Sequence, residues 1–368
     1  MKTGFKKFIL VLLSLLLGVS INSCGPLNDI DIKRDYPKQF DPIEYSDDIL
    51  VLPFVEDKLV AINSVTAEQV AVYDFTTKNH FVNGFVHYKK HCYLIIEDDK
   101  NCEYALLVRL NLETGKVDEI DYYNIFPEID SHAKNYLLIG SPLGGSDTML
   151  YDMETGKKER KKTYSSWGKS LTLSKEILYV IDNTDKGYDE VSWISYTNDT
   201  RVTYKNTEYI SDLIGNTSEN YVMMIQSNKR NQELKDNTIA IVGPDNNTGS
   251  ERLKYYKIID FENKELELIY DFVDQGDYVY VSYGVVLGDY AYLANDFDRS
   301  FIKLYKVNMT TKNIVANITL PANFSLIYKN GYFWLSDDWS YPDDGNIYYY
   351  RVNPEDMSVV KFKIDESK

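Results

Sequence analysis

Residues that carry common catalytic chemistry are scarce in this sequence. It holds three cysteines and four histidines in 368 residues, the latter being His80, His87, His91 and His132. It contains no phosphate-binding P-loop, no Rossmann fingerprint and no G-x-S-x-G nucleophile elbow, motifs that set a reactive or phosphate-binding group at a turn before a helix. These absences exclude the enzyme classes that depend on those motifs.

Positive charge is also in short supply. The chain has 40 Lys and Arg against 56 Asp and Glu, a net charge of −16. Removal of residues 1–23 takes away three lysines and no acid and therefore gives −19. A surface this acidic repels nucleic acid and offers no polybasic route to anionic lipid, so we expect no nucleic-acid partner.

Long apolar runs are missing except near the N-terminus, where Lys2, Lys6 and Lys7 precede an apolar stretch from Phe8 to Val19. A bilayer-spanning helix needs about 20 apolar residues, so this stretch is too short to span comfortably. A positive start, an apolar segment and then small or polar residues are typical of a secretory signal. We therefore predict that residues 1–23 are a signal peptide.

The signal ends on "INSC", Ile21 to Cys24, which resembles the lipobox of bacterial lipoproteins. The resemblance implies that Cys24 is diacylated and becomes the mature N-terminus. Its thioether lipid plus an N-acyl chain meets the requirement of more than one acyl chain for stable anchoring. The protein would then lie in the bacterial cell envelope, outside the cytoplasm and anchored to a bilayer. The alternative is an ordinary signal peptide with a chance cysteine.

Internal repeats occupy the rest of the chain. Seven segments share an aromatic or aliphatic start, a short apolar run and usually an acidic or Asn turn, with starts 44, 43, 42, 43, 71 and 41 residues apart. One period of about 43 residues recurs, interrupted by one insertion of about 28. The segments begin at Ile49, Tyr93, Tyr136, Leu178, Tyr221, Tyr292 and Phe333.

The second half of each repeat alternates Tyr, Val and Ile with polar residues and breaks at Asn, Asp and Gly turns, as in "LLVRLNLETGKVDEI" from Leu106. This pattern predicts antiparallel hairpins. A period of 40 to 50 residues built from about four short strands is typical of a β-propeller blade. We predict an all-β fold, a β-propeller of seven four-stranded blades over residues 45–368, with the aromatic residues filling the spaces between blades.

Two turns, "LNLETGKV" and "YDMETGKKE", resemble the D-x-x-T-G-K turn of quinoprotein-type and YVTN-type propeller repeats. The resemblance covers residues 45–366. The Trp that usually follows this turn in quinoprotein blades is missing from Val117–Ile120 and from Lys158–Lys161. We therefore expect no stacked-cofactor dehydrogenase chemistry and no cofactor.

Residues 24–44 are polar and punctuated by proline. We predict a tether from the lipid to the first blade, about 20 residues long. The alternative is that part of this segment completes the last blade as an outer strand.

Two groups of residues are candidate metal ligands. His87 and His91 flank "YKK" at a predicted strand-to-strand turn, without the H-x-x-x-H helix of a zinc site. The stretch Ser336 to Asn346, "SDDWSYPDDGN", is rich in oxygen ligands but lacks the spacing of a calcium loop. We interpret the first as surface or turn histidines and the second as a solvated loop, and predict no metal.

Cys92 and Cys102 are the cysteines that remain once Cys24 is acylated. They stand on the two arms of one predicted hairpin, in a compartment that permits oxidation. A disulfide needs Cα atoms about 4.4 to 6.8 Å apart, and the register of the hairpin is open at this point. The alternatives are a bridge or two small buried hydrophobic residues.

Three long turns are predicted to meet at one end of neighbouring blades. The runs from Tyr221, Tyr292 and Phe333 are predicted second strands, and the turn after a second strand lies at the same end as the crossover to the next blade. Loops longer than about 12 to 15 residues are uncommon unless functional or disordered. The candidate ligand-binding side chains on these turns are Trp339 and Tyr341, for stacking, and Asp296, Asp298, Asp337, Asp338, Asp343 and Asp344, as acceptors for hydroxyls or a basic partner. The alternative is a solvated rim.

Two classes of function follow. The first is a noncatalytic binding or scaffold lipoprotein with a protein or glycan ligand on the propeller loops. The second is a propeller enzyme, such as a lactonase, lyase or glycosidase, which requires His or paired acids on the innermost strands. The segments expected there, "GFVHY" from Gly84 and "YGVVL" from Tyr283, are mostly apolar. We favour binding, because the fold alone does not select a chemistry.

Overall fold

The computed structural model describes the greater part of the chain after residue 34. The described ranges are 35–55, 57–78, 80–98, 104–124, 128–133, 135–140, 147–162, 170–173, 176–181, 189–195, 201–206, 209–215, 221–227, 251–260, 265–272, 281–297, 301–311, 313–320, 326–336 and 346–368. Within them the chain forms strands and turns, as the alternation of β-branched and aromatic residues predicts.

The strands of the described residues form seven antiparallel sheets. Sheet 1 holds β1 (Ile49–Phe54), β2 (Lys58–Asn63) and β3 (Gln69–Asp74), and sheet 2 holds β4 (His80–Tyr88), β5 (His91–Asp98), β6 (Tyr104–Asn111) and β7 (Val117–Asn124). Sheet 3 holds β8 (Glu128–Ala133), β9 (Tyr136–Gly140), β10 (Asp147–Asp152) and β11 (Lys158–Lys162), and sheet 4 holds β12 (Ser170–Leu173), β13 (Glu176–Ile181), β14 (Asp189–Ser195) and β15 (Arg201–Asn206). Sheet 5 holds β16 (Tyr209–Gly215), β17 (Tyr221–Ser227), β18 (Glu251–Asp260) and β19 (Glu265–Phe272). Sheet 6 holds β20 (Val281–Leu287), β21 (Tyr290–Phe297), β22 (Phe301–Asn308) and β23 (Asn313–Leu320), and sheet 7 holds β24 (Ile327–Lys329), β25 (Tyr332–Ser336), β26 (Tyr348–Val352) and β27 (Val359–Lys363).

Consecutive sheets contact one another around a closed ring. The strands β1, β4, β8, β12, β16 and β20 contact each other in that order. Sheets 6 and 7 share one apolar cluster, and sheets 7 and 1 share another. The fold is an all-β propeller with seven blades, so the prediction of fold class is confirmed. It needs one correction, since sheet 1 has three strands among the described residues where four were predicted.

The turns show which strand sheet 1 lacks. In sheet 2, the Oδ1 of Asn111 at the end of the third strand accepts hydrogen bonds from the backbone N–H groups of Glu113 and Thr114. Asn63 makes the same pair of bonds at the end of β2, although β2 is the second strand of its sheet. The strands β1, β2 and β3 therefore correspond to the second, third and fourth strands of the other blades. Among the described residues, the innermost strand of sheet 1 is missing.

Aromatic residues fill the spaces between sheets, as predicted. The largest buried side chains of the described residues include Trp334, Tyr93 and Tyr151, each with an exposure of 2 % or less. Several buried tyrosine hydroxyls also donate to a backbone carbonyl in the turn before the outer strand of the next sheet. They are Tyr93 to Met153 (3.2 Å), Tyr292 to Pro354 (2.8 Å) and Tyr349 to Ala67 (2.8 Å). Each of these tyrosines thus buries its aromatic ring while its hydroxyl keeps a hydrogen-bond partner.

Packing, rather than an exchanged strand, closes the ring among the described residues. All four strands of sheet 7 come from the C-terminal part of the chain, so the outer strand of the last blade is β27 and not a piece of the predicted tether. Trp334 and Tyr349 of sheet 7 pack against the β1 and β2 side chains. The C-terminal segment then binds the outer strand of sheet 1, where Gln69 exchanges two hydrogen bonds with the backbone of Asp365 (2.6 and 2.8 Å).

Residues 35–44, the last part of the predicted tether, pack onto the propeller. Phe40 N donates to Gly115 O (2.8 Å), and Val117 N donates to Lys38 O (3.0 Å). The Phe40 ring lies against Tyr73 and Phe75, with centroids 5.4 and 4.9 Å away. Residues 24–34 lie outside the described residues.

Candidate functional site

The three predicted turns fall between the second and third strands of sheets 5, 6 and 7, but the prediction of a long turn in sheet 6 is wrong, because β21 and β22 leave only three residues between them. Residues 228–250, 298–300 and 337–345 connect the second and third strands of sheets 5, 6 and 7. Because strands alternate in direction within each sheet, these connections emerge at one end of three consecutive blades. We call this end the loop face.

Most candidate ligand-binding residues lie outside the described residues. These are Asp298, Asp337, Asp338, Trp339, Tyr341, Asp343 and Asp344. Asp296 is on β21, in register with Ile302 of β22. Ser336, the last residue of β25, is fully buried and donates through Oγ to Pro53 O, so the connection that carries Trp339 begins against sheet 1.

The cysteines are partly described. Cys24 and Cys102 lie outside the described residues. Cys92 is fully buried, and burial raises the pKa of its thiol. It lies on β5 in register with His87 and Leu110. The bridge to Cys102 stays a prediction.

The edge of β1 that faces away from β2 carries backbone polar groups that need hydrogen-bond partners. Ser64 N donates to Asp48 O, and the antiparallel register continues from Ile49 opposite Asn63. Alternation along the strand therefore directs the backbone groups of Ile49, Val51 and Pro53 away from β2, toward the missing inner strand. Burial without partners would be unfavourable for these groups.

Side chains from the two neighbouring sheets replace that strand. Lys329 Nζ of β24 donates to Ile49 O (2.6 Å), and Val51 N donates to His87 Nδ1 of β4 (3.4 Å). The position next along the edge is Pro53, which has no N–H, and its carbonyl accepts from Ser336. Proline is tolerated in a strand where no partner needs its N–H. We refer to Lys329, His87 and Ser336 as the edge caps.

Electrostatics around the edge caps are set by burial and two acids. Burial lowers the pKa of Lys329, and Asp47 and Asp48 act in the opposite direction. Asn330 fixes Asp48 by donating to its Oδ1 (3.0 Å), and also donates to Ser64 Oγ (2.9 Å). The Lys329 ammonium thus donates to a backbone carbonyl, and the charges of Asp47 and Asp48 favour its protonated form.

His87 and His91 of sheet 2 are held neutral. Burial, aided by the charge of Lys329, lowers the pKa of His87 to about 3, and burial with the charge of Arg109 lowers that of His91 to about 4. Since Val51 N donates to Nδ1 of His87, this nitrogen is the unprotonated one. The predicted turn between His87 and His91 is confirmed. His80 is buried, at 4 % exposure, beside Asp35.

Two further tests concern metals and membranes. No group of three His, Cys, Asp or Glu side chains able to hold a metal ion occurs in the described part of the chain. Nor does a helix with the length and apolar character of a membrane span occur there.

Comparisons with known proteins identify the fold and no family. No protein-family model matches the chain. No curated protein matches it either. Among solved structures, the tricorn protease matches with a TM-score of 0.51 and 12% identity, over 89% of this chain and 36% of that one. A Bacteroides fragilis protein with a proposed 6-phosphogluconolactonase activity matches with a TM-score of 0.50 and 12% identity, over 89% and 98%. The β-propeller domain of Cps50 from Myceliophteria thermophila matches with a TM-score of 0.48 and 10% identity, over 89% and 97%. At these identities the likeness concerns the fold alone.

Proposed function

We propose that this protein is a noncatalytic binding module, anchored outside the cytoplasmic membrane by acylated Cys24, that binds its ligand on the loop face. The proposal that the protein is noncatalytic is supported by one observation, namely that the edge caps are engaged in structural hydrogen bonds. Lys329, His87 and Ser336 each hydrogen-bond to the backbone of β1, and His87 has a pKa of about 3. A general acid or base works best with a pKa near the operating pH, so this imidazole is poorly suited to proton transfer at neutral pH.

The topology supports the location of the ligand surface. Connections between second and third strands from sheets 5, 6 and 7 emerge at one end, and the sequence of these connections contains Trp339, Tyr341 and five of the six candidate aspartates, the sixth, Asp296, lying on β21. Exposed aromatic rings stack on sugars or pack into a partner's pockets, and carboxylates accept hydrogen bonds from hydroxyls. A glycan is the ligand that uses both kinds of side chain.

A glycan microarray probed with the purified protein tests this proposal. We expect a Trp339→Ala plus Tyr341→Ala variant, and a variant shortened between Lys229 and Gly249, to lose at least about tenfold in signal, because central aromatic residues contribute most of a binding free energy. Tyr328→Ala, which removes an exposed aromatic from β24, is the matched control. Full binding by both variants, with the circular dichroism spectrum unchanged, would move the site elsewhere. Turnover of a bound glycan would favour the enzyme alternative.

A further inference from the structure

The outer strand of sheet 6 carries no charged side chain. β23 spans Asn313–Leu320 and has the sequence "NIVANITL". The outer strands of the other six sheets, β3, β7, β11, β15, β19 and β27, each contain at least one Asp, Glu, Lys or Arg. Charged side chains on an edge strand hinder its pairing with another chain. β23 is therefore the outer strand that charge protects least.

The outer edge of β23 is open among the described residues. β22 pairs with its inner edge, and no other described residue hydrogen-bonds to its backbone. Exposed residues alternate with half-buried ones from Asn313 to Thr319, and Val315 is 52 % exposed. On β27, the outer strand of the neighbouring sheet, Val359 and Val360 are exposed as well. Because an edge strand points half of its backbone N–H and C=O groups away from its neighbour, β23 presents such groups beside exposed apolar side chains.

The outer strand of sheet 1 shows how this chain covers a comparable edge. β3 has one charged residue, Asp74. The C-terminal segment binds along this strand, where Val72 N donates to Lys368 O (3.2 Å) and Gln69 exchanges its two hydrogen bonds with Asp365. The described part of the chain supplies no such segment for β23.

We propose that β23 pairs antiparallel with β23 of a second copy of this chain, across a two-fold axis normal to the sheet. The proposal does not depend on acylation of Cys24 or on a ligand at the loop face. A two-fold axis presents the strand to itself with its direction reversed, which is what an antiparallel ladder requires. Because residues that lie opposite each other must share a face of the sheet, either Ala316 or Asn317 lies opposite its own copy.

The charge of the molecule favours this contact over others between two copies. Two chains with a net charge of −16 each repel one another over most of their surface. At β23 no charged residue of the strand meets its copy, and Val315 lies opposite Asn317 or Thr319 of the second copy. Backbone hydrogen bonds and apolar contacts, rather than ion pairs, then hold the two copies together. Added salt should strengthen the pairing, because it screens the repulsion.

Sedimentation velocity of the purified full-length protein in detergent tests the pairing. We expect a concentration-dependent dimer whose fraction rises between about 0.05 and 0.5 M NaCl. Val315→Glu should weaken the dimer by roughly tenfold or more, because it brings two like charges together near the axis. The matched control is Val65→Glu, which puts the same charge on an exposed valine between β2 and β3, with 57 % exposure.

Crosslinking locates the axis independently of that variant. Cysteine at Asn317 lies at most about 8 Å from its own copy in either register, whereas cysteine at Asn313, on the same exposed face, lies at least about 20 Å from its copy. We expect a short bis-maleimide reagent to link two Asn317→Cys chains. Asn313→Cys should react no further than the unsubstituted protein, which reports any linkage through the native cysteines.

Each contrary outcome overturns the proposal. A monomer at every concentration and salt does so, and so does a dimer that both Glu variants weaken equally or that Val315→Glu leaves intact. Equal linkage from positions 313 and 317, or association that falls with added salt, would place the contact elsewhere. A monomer that binds an uncharged extended peptide through β23 would assign the edge to a different partner. None of these measurements involves a glycan or labelled palmitate, so failure here is distinct from failure of the proposed function.

Discussion

At the scale of single residues, side chains make hydrogen bonds to β1 that backbone groups of a neighbouring strand make in the other blades. His87, Lys329 and Ser336 satisfy groups of β1 that a fourth strand satisfies in the other blades. A buried acceptor or donor without a partner costs about 1–3 kcal/mol of folding free energy. Each edge cap therefore stabilises the fold by preventing that cost. The requirement that His87 accept a hydrogen bond also fixes its neutral state.

His87 should make stability depend on pH. Its pKa is about 3 in the folded protein against an ordinary 6.5, so between these values the unfolded chain binds a proton that the folded protein does not. The free energy of unfolding therefore falls as the pH drops from 6.5 toward 3, by at most about 1.4 kcal/mol per pH unit for this group. Urea unfolding of wild-type and His87→Gln protein at pH 7, 6 and 5 measures this contribution.

The variant should show the shallower pH dependence, because Gln retains an acceptor for Val51 N and does not titrate. It will keep part of the slope from His91, whose pKa of about 4 acts in the same direction. Identical slopes in the two proteins would contradict the burial of a neutral His87.

Cys92 should be unreactive until the protein unfolds. Its side chain is fully buried and burial raises its pKa, so little thiolate is available to an alkylating reagent. We expect the peptide that contains Cys92 to remain unmodified by iodoacetamide in the folded protein and to be modified in urea without reductant, as read by mass spectrometry. Resistance in urea would show that Cys92 is bridged to Cys102.

At the scale of elements, one turn is used repeatedly. Asn111 and Asp152 each end a third strand and accept backbone N–H groups from the following Glu and Thr. A glycine with positive φ follows each, Gly115 at 68° and Gly156 at 71°. The two "ETGK" turns therefore share their local structure, but only the first contacts the N-terminal segment.

This difference makes Gly115→Ala and Gly156→Ala a matched pair. Both substitutions place a Cβ at positive φ, which destabilises by about 1 kcal/mol. At Gly115 the added Cβ also lies 1.9 Å from Phe40 O, whereas at Gly156 its nearest neighbour is Tyr151 Oη at 3.8 Å. Gly115→Ala must therefore displace the N-terminal segment.

Limited trypsin digestion measures the displacement. We expect cleavage after Lys38 to become faster in Gly115→Ala and to stay at the wild-type rate in Gly156→Ala. A larger loss of melting temperature should accompany it. Equal behaviour of the two variants would mean that residues 35–44 contribute nothing to stability.

The sequence predicts local elements better than the contacts between distant ones. Tyr136 and Tyr221 each begin a strand as the repeat alignment predicts, because alternation and turn residues act within a few positions. That sheet 1 has three strands among the described residues was not predictable, since the apolar run from Ile49 is the same whether or not a strand precedes it. The edge caps were missed for a related reason, because Lys329 and Ser336 lie more than 270 positions from the backbone that they satisfy.

At the scale of the whole molecule, the ring closes through contacts of sheet 1 with sheet 7 and with the C-terminal segment. The repeat pattern of the sequence does not predict these contacts. Trp334 packs sheet 7 onto sheet 1, and Asp365 binds Gln69 on the outer strand of sheet 1. The N-terminal end of the described chain thus lies on sheets 1 and 2, and its C-terminal end lies on the outer strand of sheet 1. Residues 35–44 are held on the propeller by hydrogen bonds with Gly115 and Val117.

Anchoring is the property of the whole molecule on which its proposed location depends. If Cys24 carries the lipid, cells grown with labelled palmitate will label the wild-type protein, and the label will partition into detergent in a phase-separation assay. Cys24→Ala should abolish both, because no other residue accepts the thioether-linked lipid, while Cys92→Ala and Cys102→Ala should leave both unchanged. The Cys24→Ala protein should remain an unlipidated precursor that retains residues 1–23, because the lipobox resemblance implies that the cysteine is diacylated before the signal is cleaved. Palmitate incorporation that persists in Cys24→Ala would contradict the lipid anchor at Cys24 and, with it, the proposed location outside the cytoplasmic membrane.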